Sequence, residues 1–423
     1  MAPGVTYASL PANGSFDTTA DTEKPQFVAT ATPVDAIESI KLGLQIQRHE
    51  QNGTTAKSLD VTNSAWTHSR ESSNNFISDF YTKPTLPMLE AIVRTTLGDG
   101  DNDEDAATNA LQEYVADLMG HESALLVPTG TMGNQVSLRT ALGNPPHSIL
   151  VDYRGHIIHF EGGGPSAICG TLIRTVVPAN GHHLTLSDVQ KFSTVRNTMY
   201  DCPTRVIALE NPMEGRILPL ADIQAISTWA RAQNPPIHMH LDGARLWEAV
   251  AAGACTLREI GACFDSIQMC FTKGLGAPLG SIVVGSSVFI QRAKWSRKML
   301  GGGTRSSGVI AGPARLAIDD VLFGGKMKRA QEKARRASEL WVELGGKLLE
   351  RTETNMVWVD LEGSGIDAKW FYPMAKNDFG LNIGGVIPQR IVFHYQISDE
   401  AFARLCDFFR KALGTEAQDT NSY

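Results

Sequence analysis

A lysine at the end of an apolar run is the residue in this chain best placed to do chemistry. Lys273 follows the run Ile267 to Phe271 and precedes Gly274, Leu275 and Gly276, within SIQMCFTKGLGAPLGSIVVG. Burial disfavours a charged ammonium, and a neutral amine condenses with an aldehyde to give a Schiff base. The plainer alternative is a lysine at a strand end with its head in water. Four other polar residues, Thr129, His156, Asn211 and Asp242, also fall just after strand-like runs.

Together these positions match what pyridoxal phosphate requires. Its phosphate needs backbone N–H groups at a helix start, and Thr129-Gly130-Thr131, between a strand and a helix, supplies them. Its ring nitrogen needs a carboxylate if the ring is to draw electrons. Asp242 in HMHLDGAR has the chemistry, although an Asp after a strand also caps helices. The ring needs a flat partner away from the lysine, and His156 is the candidate. A substrate carboxylate calls for arginine, which binds it through two parallel hydrogen bonds. Arg245 and Arg390 qualify, though each is also a plausible salt-bridge residue.

Stepping strands must deliver these groups. The runs Ala124–Pro128, Ser148–Asp152, Arg205–Leu209, Ile237–Leu241 and Ser266–Phe271 read as strands. Helical patterns alternate with them at Ala107–Met119, Met132–Leu142 and Leu220–Gln233, after a first helix over Thr85–Leu97. Such alternation predicts a mostly parallel sheet covered by helices, with ligands at the carboxyl ends of its strands. Helices are then expected over Val309–Leu322 and Lys326–Glu350, the latter with a solvated basic face. Strands at Met356–Leu361 and Arg390–Tyr395 and a helix over Ala401–Leu413 complete a small C-terminal α+β domain. The domain reading is an N-terminal extension over 1–75 with one helix from Val34 to about His49, a large domain over 76–325, a small domain over 326–414 and a frayed tail over 415–423.

Composition narrows the class. The chain has 423 residues, 42% hydrophobic and 20% charged, as an ordinary globular protein does. Its formal net charge of −7 argues against nucleic acid as a partner. No apolar stretch approaches the roughly 20 residues of a membrane span. The first residues resemble neither a secretory signal nor a mitochondrial presequence. Six cysteines without a C-x-x-C pair read as reduced thiols, with no metal site, in a cytoplasmic protein. The acidic loop LGDGDNDEDAATN has poor spacing for a calcium loop.

From about Asn75 to Leu413 the chain resembles the threonine aldolase family of fold-type I pyridoxal-phosphate enzymes. The matching stretches are SDFYTKPTLPM, the acidic loop near LGDGDNDED, PTGTMGN, HIIHFEGGG, LENPMEGRILPL, HLDGARLWEA, FTKGLGAPLGS, GGGTRSSG and RIVFHYQIS, in that order. The resemblance implies an aspartate aminotransferase-like α/β fold and a homodimer or homotetramer with sites shared between subunits. It implies that Lys273 carries the cofactor, Asp242 holds its ring nitrogen, His156 stacks on it, and Gly130 and Thr131 bind its phosphate. Arg305 in GGGTRSSG would reach the phosphate in a neighbouring subunit, and Ser78, Arg245 and Arg390 would hold the substrate carboxylate.

Two departures fall on the substrate side. The family usually carries a histidine where this chain has Met213, and a tyrosine at about the place of Asn102. Retro-aldol cleavage must take a proton from a β-hydroxyl, and a thioether cannot do that. Met213 can instead pack on a methyl group. This favours racemisation of a small amino acid, L-alanine to D-alanine, as in fungal relatives of the family. Lys273 would be one base, with His156, Tyr81 or a water returning the proton on the other face. Cleavage of L-threonine or L-allo-threonine is the close alternative. A fold that has lost catalysis is the remote one.

Overall fold

The computed structural model describes residues 70–414 apart from residue 386, so the helix expected over Val34–His49 and the tail over 415–423 lie outside the described residues. Seven strands form the main sheet: β1 (Ser123–Val127), β2 (Ser148–Asp152), β3 (Leu172–Val176), β4 (Thr204–Glu210), β5 (His238–Asp242), β6 (Ser266–Cys270) and β7 (Ser281–Gly285). Their order is β1-β7-β6-β5-β4-β2-β3. Pairing from β3 through β6 is parallel, while β7 runs antiparallel to both β6 and β1.

Strands β2, β6 and β7 are buried at every residue, the pattern of strands covered on both faces. Two strands escape a reading of apolar runs. Only Val176 of the edge strand β3 is buried, and β7 follows the glycines after Lys273 closely. Helix Gly130–Ala141 lies close on the sheet through two glycines. A Cβ on Gly130 would sit 2.5 Å from Cys270 Sγ, and one on Gly133 2.5 Å from Gln268 Cγ. The acidic loop is neutralised by cations. Asp101 pairs with Arg297 at 2.8 Å and Lys298 at 2.7 Å, Asp103 with Lys294 at 2.6 Å, and Asp99 with Arg305.

A second, antiparallel sheet has the order β10-β9-β8, from β8 (Lys347–Glu350), β9 (Met356–Asp360) and β10 (Arg390–Val392). Its core joins Trp341, Phe371, Phe393, Phe408 and Phe409, with Phe76 from the start of the described chain. The helix expected to run from Lys326 to Glu350 stops at Glu343. Gly345 there takes φ 91°, and a Cβ on Gly346 would lie 2.4 Å from Trp341 Nε1, so the chain turns and enters β8. The helix expected over Val309–Leu322 is also divided. It is α-helical over Gly308–Ala317 and widens to π geometry over Ile318–Phe323. The six cysteines are free thiols. Among the described residues no helix is long and apolar enough to cross a membrane.

Glu248, 2% exposed, lies between the helix Leu246–Ala251 and the helix Lys326–Glu343. Gln331 Nε2 donates to its Oε2 at 2.6 Å and to its backbone carbonyl at 2.8 Å. Burial pushes the carboxyl up to about 8, aided by Asp79 and opposed by the Gln331 bond and Arg245. A carboxyl raised in the folded state favours folding at low pH, and that contribution is lost as pH rises through about 8. The expected outcome is that the melting temperature of the wild type falls more between pH 6 and pH 9 than that of Glu248→Gln. Equal falls would count against a protonated Glu248.

Candidate active site

Lys273 stands three residues beyond β6, half-buried. Its carbonyl accepts from Gly276 N at 2.8 Å and from Thr82 Oγ1 at 3.0 Å, so the stretch SDFYT fastens the lysine loop. Among the described residues its Nζ makes no hydrogen bond or ion pair. Gly276 takes φ 76°, and a Cβ there would lie 2.7 Å from the Tyr395 hydroxyl, so both conformation and space demand glycine.

Asp242 ends β5, 4% exposed, and has no cationic partner among the described residues. Neutral donors hold it: Asn134 Nδ2 to Oδ2 at 2.7 Å and Ala244 N to Oδ1 at 3.1 Å. The Gln268 amide, with its nitrogen turned to the carboxylate, adds a contact of 3.1 Å to Oδ1. Asn134 also donates to Glu161 Oε1 at 2.9 Å, and its Oδ1 contacts His240 Nε2 at 3.0 Å. Burial, with the field of His238, pulls His240 down to about 3, so the ring is neutral. The tautomer with Nε2–H donates to Asn134 Oδ1, which matches the Asn134 amide with its nitrogen toward both carboxylates.

Glu161 accepts from His156 Nδ1 at 3.0 Å and from Gln135. Burial opposes a charge on His156. The Glu161 bond and Asp242 outweigh burial and the repulsion of Lys273, so its pKa is raised. His156, Glu161 and Asp242 bring three possible metal-ligand atoms within 4.8 Å. Their oxygens are nevertheless taken by amide donors, which fits a hydrogen-bonded network.

Thr129 caps the helix Gly130–Ala141, its Oγ1 accepting from Met132 N at 3.1 Å. The N–H groups of Gly130 and Thr131 lie in the first turn, where a helix offers no acceptor. Thr131 is exposed and Gly130 half-buried, so the cradle is open to an anion.

The two arginines expected at the carboxylate differ. Arg245 donates from Nε and Nη2 to Asp79 at 2.7 Å each. Burial alone would raise the Asp79 carboxyl, yet the guanidinium holds it far below the usual carboxylate range. Ser78 is fully buried and its hydroxyl donates to Asp79 Oδ1 at 3.3 Å. Arg390, at the start of β10, has no ion pair among the described residues, and its Nε is buried without a partner. Burial, with repulsion from Arg245, pushes its pKa down. A bound carboxylate would relieve all three costs.

Met213 is 2% exposed and belongs to the main core. Its loop is stitched to the second sheet. Arg216 donates to Glu214 at 2.8 Å and Glu350 at 2.7 Å, Ile217 N to Glu353 at 2.6 Å, Thr354 to the Gly215 carbonyl at 2.9 Å, and Trp358 Nε1 to the Glu214 carbonyl at 2.9 Å. Asn102 is exposed. Tyr81 is half-buried against Phe80, ring centroids 4.8 Å apart. Arg305 stands apart from the Lys273 cluster, its side chain 78% exposed beside Asp99. A groove of about 880 Å³ at the other end of the sheet, lined by His147, Arg205 and His238, contains none of these residues.

The arrangement fits pyridoxal phosphate: a free lysine, a buried carboxylate lacking a cation, a helix start and an unpaired arginine. Sequence reasoning had singled out none of Asp79, Thr82, Asn134, Glu161 or Glu210. Asn134 did carry a signal, since it falls one helical turn after Gly130.

A model of the beta-eliminating lyase family matches residues 75–364. The chain is 45% identical over 348 residues to aldolase vrtJ of Penicillium aethiopicum, covering 82% of this chain and 88% of the relative. It is 35% identical over 383 residues to alanine racemase TOXG of Cochliobolus carbonum, covering 89% and 97%. It is 38% identical over 334 residues to a low-specificity L-threonine aldolase of Eremothecium gossypii, covering 79% and 86%. The threonine aldolase structure from Leishmania major shares the fold with TM-score 0.70 at 17% identity, covering 80% of this chain and 99% of that one. The chain therefore belongs to the beta-eliminating lyase family, in its threonine aldolase-like group. It is a pyridoxal-phosphate-dependent enzyme of fold-type I.

The close helix–sheet contact makes a test of the cradle. A methyl on Gly130 would press on Cys270 Sγ and displace the helix start. Gly130→Ala is expected to weaken cofactor retention by about tenfold or more, read by titrating apoprotein with pyridoxal phosphate. An unchanged dissociation constant would remove Gly130 from the phosphate site.

Proposed function

We propose that the enzyme breaks a bond at Cα of a small L-amino acid, and that racemisation of alanine is its reaction. The observation that carries this reading is Met213, a buried thioether where the resembled family places an acid–base imidazole. Lys273 would attach the cofactor, Asp242 would hold its ring nitrogen, and Gly130 and Thr131 its phosphate. Pyridoxal phosphate, when bound, supplies an electron sink conjugated to the substrate's Cα.

The chain's own groups do the rest. Arg390 binds the substrate carboxylate, and Arg245, braced by Asp79, orients it with Ser78 behind. Lys273 Nζ takes the Cα proton on its face. His156, with its raised pKa, keeps a proton available and returns it on the other face. Lys273 ends with the proton it took and His156 without the one it gave, and exchange with solvent resets both, so that over the whole cycle the stereocentre alone changes. Arg305 and its surroundings support a homodimer or homotetramer. Its side chain lines an open groove of about 540 Å³ with Asn102, beside the exposed Trp295 and Met299.

Retro-aldol cleavage of L-threonine or L-allo-threonine is the second reading, favoured by the 45% identity to a relative named aldolase. There a water would take the β-hydroxyl proton. The purified holoenzyme is offered L-alanine and, separately, L-threonine and L-allo-threonine. Chiral chromatography is expected to find D-alanine, with little acetaldehyde from either threonine. Met213→His is expected to raise aldehyde release. Robust acetaldehyde with no D-alanine from the wild type would replace the first reading with the second.

A further inference from the structure

Beside Asp242 stands a second carboxyl group that the reaction outlined above leaves unused. Glu210 ends β4, Asp242 ends β5, and the two are partners across the parallel ladder. Equal register puts their side chains on one face of the sheet. Asp242 receives two N–H donors, from Asn134 and Ala244. Glu210 receives one: the backbone N–H of His156 donates to its Oε2 at 2.9 Å. The space bounded by Gly155, His156, Glu210, His240 and Asp242 is about 10 Å³, room for one water at most.

Glu210 is half-buried and Asp242 buried, and two carboxyl groups side by side on one face of a sheet do not readily both ionise, so one keeps a proton. The partner that receives more N–H donors keeps the charge, and that is Asp242. We propose that Glu210 is a neutral acid in the working enzyme. It is a positioning residue that anchors the His156 backbone and leaves the single negative charge of the pair on Asp242. The proposal rests on the pyridoxal-phosphate reading of the site and not on which Cα bond is broken.

The groups facing Glu210 come from four segments. Asp242 on β5 repels its charge, His156 after β2 and Lys273 after β6 favour it, and Arg245 also feels it. Burial is the largest influence and Asp242 the next, and they push Glu210 up to about 7. Were Glu210 charged, it would compete with Asp242 for the proton on the ring nitrogen. A neutral carboxyl still accepts the His156 N–H through its carbonyl oxygen and does not compete.

Infrared difference spectroscopy of the holoenzyme reads the proton directly. At pH 6 the wild type is expected to show a carboxylic-acid C=O band that fades as pH rises through about 7 and is missing from E210Q. Glu248 is the other raised carboxyl among the described residues, so the comparison is repeated in E248Q. The cofactor absorbance should carry an inflection near pH 7 in the wild type and lose it in E210Q. E210Q should keep kcat within about threefold at pH 6, whereas E210A, which also loses the His156 anchor, falls further. A wild type without a titrating acid band overturns the proposal, and so does an inflection that survives in E210Q. The band is read whichever product the enzyme makes, so its absence is distinguishable from an error in the reaction.

Discussion

Asp242 is a charge that the protein chain itself does not neutralise. Taking an ion out of water costs several kcal/mol unless partners repay it. Here the partners are amides and a backbone N–H, which soften the cost and leave the field of the carboxylate pointing outward. A seven-stranded sheet delivers the residue, and a helix drawn close by Gly130 and Gly133 delivers Asn134 to meet it. His240, kept neutral by burial, meets the amide's oxygen. The arrangement leaves a buried anion that suits the positive ring nitrogen proposed to meet it.

The same economy separates the two arginines. Arg245 is satisfied internally by Asp79, and breaking such a buried pair costs about 3–5 kcal/mol. It is a structural cation whose position is fixed before any substrate arrives. Arg390 has no such partner and carries the cost of incomplete pairing in the free protein. One guanidinium is held rigid, and the other is left with hydrogen-bonding capacity to spare.

Most of the strand framework could be read from apolar runs, because buried parallel strands are continuous in hydrophobicity. The strands at Ser148–Asp152 and Ser266–Cys270 are examples. Where polarity alternates or glycine interrupts, the pattern failed. Strand β3 is an exposed edge, and the helix after Lys326 ended at a glycine pair seven residues before the amphipathic pattern suggested. Lys273, Asp242, His156 and Arg390 were visible because they follow or begin strands. Their supports were not. Asp79 meets Arg245 across 166 positions, and Asn134 meets Asp242 across 108. No local spacing encodes contacts that only the fold creates.

The loop Asn211–Ile217 hangs from the main sheet but is stitched to β8, β9 and the turn between them. Arg390 belongs to that same second sheet. Arg390 and the Met213 loop are therefore held by one sheet, while Lys273, Asp242 and the helix start at Gly130 are held by the other. On the roles proposed for these residues, substrate preference would be a matter of alignment between the two sheets. It can drift through residues of the β8–β9 hairpin that never meet a substrate, with every cofactor contact left as it was.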